Sequence, residues 1–311
     1  MSTIPTDRPI LTILGSTATG KTALATNLAA LLGAEIVSAD SRQVFKGMNI
    51  GTGKDLNEYI VSGQKIPYHL IDILEAGSEY NVHQFQSDFY KAYSGISKKD
   101  GLTILCGGTG LYIESVLKGY RLIEVPEDIE LRLQLSKLEL WELQDLLKKY
   151  RKLHNSTDST DKQRAIRAIE IEKFYEQNPQ IANQFPPIPS LTFGIQFDRF
   201  ELRDRITHRL QDRLGNGMIE EVEALLKSGL SPESLDFYGL EYRYITRYLT
   251  EDITYTEMFQ QLNTAIHQFA KRQETWWRRM EKNGFTIHWI NGKLNLEQKI
   301  QFVLQKANRF F

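Results

Sequence analysis

The run Gly15-Ser16-Thr17-Ala18-Thr19-Gly20-Lys21-Thr22 has the spacing G-x-x-x-x-G-K-[ST] and sits between an apolar strand-like segment, Ile10 to Leu14, and an alanine- and leucine-rich helix-like segment that reaches Leu32. In that context it reads as a phosphate-binding loop, and it commits the chain to a strand, loop and helix of an α/β sheet. Glycine lets the backbone curl so that successive N–H groups point at phosphate oxygens, and the following helix aims the positive end of its dipole at the same spot. Lys21 adds a full charge, and Thr22 a hydroxyl able to ligate Mg²⁺. The plainer alternative is a glycine-rich turn between strand and helix. The loop does not say which phosphorylated molecule it holds or what is done to it.

The chain has 311 residues, 41% hydrophobic and 25% charged, enough for one large domain and a smaller one. Its formal net charge is −1, so any claim on nucleic acid must rest on a local patch. One cysteine, Cys106, cannot form an intrachain disulfide, and six histidines are scattered without metal-ligand spacing. Met1 to Pro9 is polar, without the apolar core of a signal peptide, and no apolar run approaches the length of a membrane span. A soluble cytoplasmic protein with no membrane partner is expected.

Glu35 to Ala39 reads as a short buried strand ending on Asp40, and Leu102 to Cys106 as another ending on Gly107-Gly108-Thr109-Gly110. Strands alternating with helical stretches indicate a parallel α/β sheet, in which ligands collect outside the carboxyl ends of the strands. The phosphate loop, Asp40 and Thr109 all fall at such ends. From about Arg121 the texture becomes helical, with Ile129, Leu133, Leu140, Leu143 and Leu147, then Ile166, Ile169 and Phe174, in helical rhythm. The block closes at Phe185-Pro186-Pro187-Ile188-Pro189, after which Leu191 to Phe197 reads as a strand returning to the core. The expected organisation is a core in two parts, residues 1–120 and 189–311, the second mainly helical, with an all-helical insertion over 121–188. A long helix is predicted over Thr256 to Asn283, stopped by Gly284, with a last strand from Phe285 to Ile290.

Several residues invite chemistry, each with a plainer alternative. Asp40 could bind Mg²⁺ through water, act as a general base or cap the next helix. Thr109 could aim its hydroxyl at a phosphate or a base, or merely shape a tight turn. No aspartate ends the Leu102 to Cys106 strand, so the usual magnesium-organising carboxylate of nucleotide hydrolases is missing, and Asp72 is a candidate substitute. Arg164 and Arg167 share a helix face, whether as a solvated surface or an RNA contact. Lys271-Arg272-Gln273-Glu274-Thr275-Trp276-Trp277-Arg278-Arg279 suits phosphate contacts with indole stacking, or else two core tryptophans beside surface charge.

In this order the motifs resemble one family, the tRNA dimethylallyltransferases, also called tRNA isopentenyltransferases. The resemblance rests on Gly15 to Thr22, Val37 to Ser41 with Gln43, Gly47-Met48, Ile50-Gly51-Thr52, His69 to Asp72, Gly107 to Thr109 with Leu111-Tyr112, Gln163-Arg164 with Arg167, and Ala270 to Gln273 with Thr275-Trp276. It implies a P-loop NTPase-like parallel sheet flanked by helices, with a helical insertion that grips the anticodon stem-loop of tRNA. The implied reaction moves a dimethylallyl group from dimethylallyl diphosphate to N6 of the adenosine beside the anticodon, with Mg²⁺ as cofactor.

By the same resemblance, Asp40 and Thr109 are the catalytic residues, while Gly15, Ser16, Thr17, Ala18, Thr19, Gly20, Lys21, Thr22 and Arg205 hold the diphosphate, with Arg209 as a rival for the last place. Thr22 binds Mg²⁺. The implied tRNA contacts are Asp40, Ser41, Arg42, Gln43, Thr109, Gln163, Arg164, Ala165, Ile166, Arg167, Lys271, Arg272 and Gln273. A monomer is expected. The chain departs from the family pattern at Ala265-Ile266-His267, at Gly239-Leu240-Glu241-Tyr242, at Asp55 in place of proline, at Phe45 in place of tyrosine, and in the stretch His154 to Asp158. Competing readings are an isopentenyltransferase for free adenine nucleotide and a small-molecule kinase that binds ATP.

Overall fold

The computed structural model describes residues 8–150, 161–179 and 185–307. They divide into two compact units, Met1–Tyr120 with Phe185–Phe311, and Arg121–Gln184. The connector from Phe185 to Ile188, read from sequence as the end of the insertion, belongs to the first unit. There Phe185 stacks on Tyr90 with ring centroids 4.4 Å apart, and the Tyr90 hydroxyl donates to the Pro186 carbonyl.

The first unit opens with β1 (Ile10–Gly15), α1 (Lys21–Leu32) and β2 (Glu35–Ser38), followed by a small hairpin of β3 (Ile60–Val61) and β4 (Gln64–Lys65) and by β5 (Tyr68–His69). Then come α2 (Val82–Ser97), β6 (Thr103–Gly107) and α3 (Gly110–Leu117). The second unit holds α4 (Ile129–Leu135), α5 (Leu140–Tyr150) and α6 (Lys162–Gln177). The first unit resumes with β7 (Ser190–Gln196), α7 (Arg199–Gly215), α8 (Met218–Lys227), α9 (Pro232–Phe237), α10 (Leu240–Leu249), α11 (Tyr255–Lys282), β8 (Ile287–Asn291) and α12 (Leu296–Ala307).

Six of these strands form a parallel sheet in the order β5-β2-β6-β1-β7-β8. Its central strands β1 and β6 are buried throughout because helices cover both faces. From β1, Ile10 and Leu14 face a core with Phe85 and Phe89 of α2, Ile113 of α3 and Trp277 of α11, whereas Leu11 and Ile13 face Leu24 and Leu28 of α1 and Val303 of α12. Each such side chain, fully buried, contributes about 1.5–3 kcal/mol.

The long helix α11 begins one residue before its predicted start. Thr254 caps it, accepting from Glu257 N while the Glu257 side chain returns to the Thr254 N–H, a reciprocal box that fixes the first turn. Gly284, with φ of +89°, lets the chain leave the helix. The helix α12 lies beyond the last element legible in sequence. Among the described residues no helix is long and apolar enough to cross a membrane.

Candidate active site

Strand register brings the site together. Ser38 of β2 pairs with Cys106 of β6, and Gly107 of β6 with Leu14 of β1, so the three carboxyl ends lie side by side. Asp40, Thr109 and the phosphate loop leave the sheet at that edge, as the strand-end rule requires.

The loop turns between Gly15, with φ of +152°, and Gly20, with φ of +80°, and no described side chain caps α1, whose first-turn amides face the loop. Lys21 folds back so that Nζ donates to Ser16 O at 2.7 Å, and Thr19 Oγ1 donates to the same carbonyl at 2.9 Å. Burial pulls the Lys21 ammonium down to about 8; Cys106 opposes this, Arg209 adds to it, and Asp40 and Asp55 oppose it. A cation this poorly solvated is disposed to accept an anion.

Asp40 follows β2, half-buried, and its Oδ1 accepts from Arg42 N at 2.9 Å; this shapes a local turn, and since no helix starts there Asp40 is not the helix cap that sequence also allowed. The carboxylate forms no ion pair among the described residues. Thr109 Oγ1 accepts from Ser41 N at 3.1 Å, while Thr109 N donates to Ala39 O at 3.1 Å, so the two turns hold each other. Gln43, expected to meet RNA, turns inward between Ser38 Oγ at 2.8 Å and Gly53 O at 3.0 Å. Arg42 lies over the Phe237 ring at 5.1 Å.

The loop from Asn49 to Asp55 is built from groups with no local signature. Glu221 of α8 accepts three backbone N–H groups, from Asn49, Ile50 and Gly51 at 2.7 to 3.0 Å, and also the Tyr242 hydroxyl at 2.8 Å. Lys54 is fully buried and pairs with Asp72, so Asp72 is spent on fixing this loop and does not serve the phosphate loop as a substitute carboxylate. Asp55 receives Arg209 at 2.7 Å and Arg213 at 3.2 Å. Burial pushes the Asp55 carboxyl up, but Arg213 and Arg209 together outweigh it and hold it below the ordinary carboxylate range. Phe45 is buried edge-on against Tyr238, with ring centroids 4.7 Å apart.

Of the two rival arginines, Arg209 donates to Thr17 Oγ1 at 3.2 Å. Arg205 is exposed, donates through Nε to Ala18 O at 3.0 Å and stacks on Phe197 at 4.4 Å. Beside Thr17 and Ala18 lies a cavity of about 20 Å³ whose wall combines Ile206, Leu210, Met218 and Ile266 with Arg209, Arg213 and Glu241. A larger opening of about 380 Å³ touches Ser16 and Thr19 from the β7 side and includes neither Asp40 nor Thr109.

Helix α11 closes the site from behind. Gln273, expected at the RNA surface, is only 7% exposed. Its Oε1 accepts from Thr17 N and its Nε2 donates to Gly108 O, both at 2.9 Å. A Cβ at Gly108 would come within 2.5 Å of that Nε2, and one at Gly110 within 2.3 Å of the Trp276 ring, which is why glycine stands at both positions. Trp277 is core, at 1% exposure. Trp276 is half-buried beneath the Arg279 guanidinium at 3.7 Å. Lys271 and Arg272 are exposed. His267, a departure from the family pattern, bonds Arg203 O at 3.2 Å.

In the helical unit, Ala165 is fully buried and Ile166 is 9% exposed, both packed with Leu131, Leu143, Leu147 and Ile169. This corrects the expectation that they contact tRNA: their side chains are the core of the unit. Arg167 is also largely committed, pairing with the buried Glu170 and donating to Val125 O at 2.8 Å. Glu170 meets Arg132 as well, at 2.8 Å. Burial opposes ionisation there, yet the bonds from Arg132, Arg167 and Asp128 N hold the carboxyl down to about 2. Gln163 and Arg164 remain exposed. The departure at His154 to Asp158 lies outside the described residues.

Fold and site define an α/β phosphate-loop protein whose loop faces a half-buried carboxylate and a threonine hydroxyl across adjacent strand ends. A family model described as IPP transferase matches residues 43–280. A tRNA dimethylallyltransferase 2 of Bacteroides fragilis is 55% identical over 304 residues, covering 98% of this chain and 99% of that one. The solved tRNA isopentenylpyrophosphate transferase of Bacillus halodurans superposes with a TM-score of 0.70 at 28% identity, covering 96% of this chain and 95% of its own. That of Staphylococcus epidermidis gives a TM-score of 0.69 at 28% identity, with 98% and 100% covered. The chain belongs to the IPP transferase family, the tRNA dimethylallyltransferases.

Proposed function

We propose that this enzyme transfers the dimethylallyl group of dimethylallyl diphosphate to N6 of the adenosine adjacent to the anticodon in tRNA, releasing diphosphate. The N6 lone pair forms a bond to C1 of the allylic chain, and the C1–O bond breaks with its electron pair leaving on the diphosphate. The N6 proton passes to Asp40. An exocyclic adenine amine is a weak nucleophile because its lone pair is delocalised into the ring, so a base acting as C1 approaches lowers the barrier.

The leaving group explains why a kinase-like loop serves this reaction. Growing charge on the diphosphate is met by the loop amides, Lys21 and Arg209, already oriented before reaction. The buried Ile206, Leu210, Met218 and Ile266 pack behind those cations and lower the dielectric around them, which strengthens their hold on an anion. The observation that carries the reading is the side-by-side exit of the loop, Asp40 and Thr109 from adjacent strands, with Asp40 free of any ion pair among the described residues.

Among the described residues no group of three or more His, Cys, Asp or Glu could cage a metal. Thr22, a hard oxygen donor in the first turn of α1, fits Mg²⁺, which takes its other ligands from water and phosphate. Mg²⁺ there would neutralise diphosphate charge. Ser41, Arg42, Gln163, Arg164, Lys271 and Arg272 are the proposed tRNA contacts. The target base leaves the stack to react, at a cost of a few kcal/mol offset by pocket contacts. Action as a cytoplasmic monomer completes the proposal.

The test offers radiolabelled dimethylallyl diphosphate with bulk tRNA or with AMP, and ATP with nucleosides in place of the prenyl donor. Label in tRNA as N6-dimethylallyladenosine is the expected result. Label in AMP alone would move the assignment to a free-nucleotide prenyltransferase, and phosphoryl transfer alone to a kinase.

A further inference from the structure

We infer that Gln273 is a positioning residue that ties the phosphate loop to the turn carrying Thr109, so that the donor and the acceptor base are held in one register. The inference rests on the prenyl-transfer reading and goes beyond it by removing Gln273 from the RNA surface. Its carboxamide spans the two turns, accepting from Thr17 N and donating to Gly108 O, each at 2.9 Å. Both partners are main-chain groups of fixed polarity. An N–H only donates and a C=O only accepts, so one amide orientation alone satisfies both.

The neighbours of Gln273 on the same helix face serve the same junction. Ala270, three residues earlier, accepts from Ser16 Oγ at 3.4 Å, and Trp276, three residues later, packs on Gly110. One side of α11 therefore touches the phosphate loop and the Gly107 to Gly110 turn in a continuous row. The glycine at position 108 is what lets the Gln273 amide approach the turn at all. The single Thr17 N–H is committed to Gln273 and fixes the loop there, and Thr109 follows Gly108 directly, bonded in turn to Ser41 beside Asp40. Displacement at either end is thereby transmitted across the reaction centre, where small misplacements cost large factors in rate.

Gln273→Glu gives a test that a tRNA contact or a merely structural residue would not pass. The ionised side chain still accepts from Thr17 N but sets an oxygen against Gly108 O, whereas the protonated acid restores both bonds. Burial beside a carbonyl raises the carboxyl above its ordinary range, which brings the change into an accessible pH window. In single-turnover prenyl transfer, Gln273→Glu relative to wild type is expected to lose about tenfold or more between roughly pH 5.5 and pH 8, with pyrophosphate affinity falling in parallel. Affinity for tRNA by filter binding should change by less than about twofold. Gln273→Met, which fills the space with no polar group, should be impaired at every pH with a wild-type profile shape.

A wild-type pH profile for Gln273→Glu overturns the inference, as does a large loss of tRNA affinity with pyrophosphate binding intact. Thermal melting of each variant separates loss of fold from loss of register, and the pyrophosphate measurement on Gln273→Met reads the tie even if Gln273→Glu is unfolded. Should wild-type protein transfer no prenyl group, the functional assignment fails, while pyrophosphate binding by the variants still decides the role of Gln273.

Discussion

Arg209 joins Asp55 at 2.7 Å through one guanidinium nitrogen and reaches Thr17 Oγ1 at 3.2 Å through the other, which places a fixed cation directly on the phosphate loop. Asp55 also holds Arg213, whose side chain is only 15% exposed. Two neighbouring guanidinium groups would repel without that carboxylate, so Asp55, which stands where the family pattern has proline, keeps the cationic rim together. Arg205 contributes differently, with its Nε on Ala18 O and its plane against Phe197.

The geometry therefore ranks the two arginines. Arg209→Ala is expected to weaken pyrophosphate binding by about tenfold or more, the scale of one charge-assisted hydrogen bond, and Arg205→Ala by less than about threefold. Isothermal titration with pyrophosphate checks the order, and a larger loss for Arg205→Ala would reverse the assignment.

Lys21 makes the donor site sensitive to pH. Its ammonium, lowered to about 8 in the free protein chiefly by burial, must be charged to hold an anion. Diphosphate binding favours the protonated form, so affinity should be full below pH 8 and should decline, by at most about tenfold per pH unit, as pH rises through that value. The sign for stability is opposite. Between pH 8 and the ordinary lysine value the unfolded chain binds more protons at this residue, so Lys21 by itself makes the fold more stable as pH rises there. Pyrophosphate titrations from pH 6.5 to 9.5 check the first effect, and Lys21→Met should flatten it.

Lys271 and Arg272 are exposed on α11, directly before the buried Gln273. Replacing both by alanine should weaken tRNA binding and reduce the slope of log affinity against log salt by roughly 1 for each phosphate no longer neutralised, with pyrophosphate affinity unchanged. An unaltered salt slope would assign these residues to ordinary surface.

What could be read from sequence, and what could not, follows from the range of the interactions involved. The phosphate loop and the Gly107 to Gly110 turn are legible because glycine spacing, a preceding apolar strand and a following helix are all local. The parallel sheet and the helical insertion are legible from strand and helix periodicities. The clamp of Glu221 on Asn49 to Gly51 joins residues about 170 positions apart, and the Gln273 bridge about 165 to 256, so no local pattern announces either. Ala165 and Ile166 are a different case. The same apolar rhythm that predicts α6, through Ile166 and Ile169, turns that face inward, so a contiguous RNA-facing strip over 163–167 conflicts with the helical period. Only Gln163 and Arg164 of that run are left exposed.

The proposed chemistry turns on Asp40, a half-buried carboxylate without an ion pair among the described residues, set beside Thr109 and the phosphate loop. Asp40→Asn keeps the shape and the Oδ1 bond to Arg42 N but cannot take the proton of the adenine amine. Single-turnover transfer from saturating dimethylallyl diphosphate to saturating tRNA should slow by about 10²–10⁴-fold, with affinities for tRNA and pyrophosphate within about threefold of wild type. A single-turnover rate equal to that of the wild type would contradict this role for Asp40.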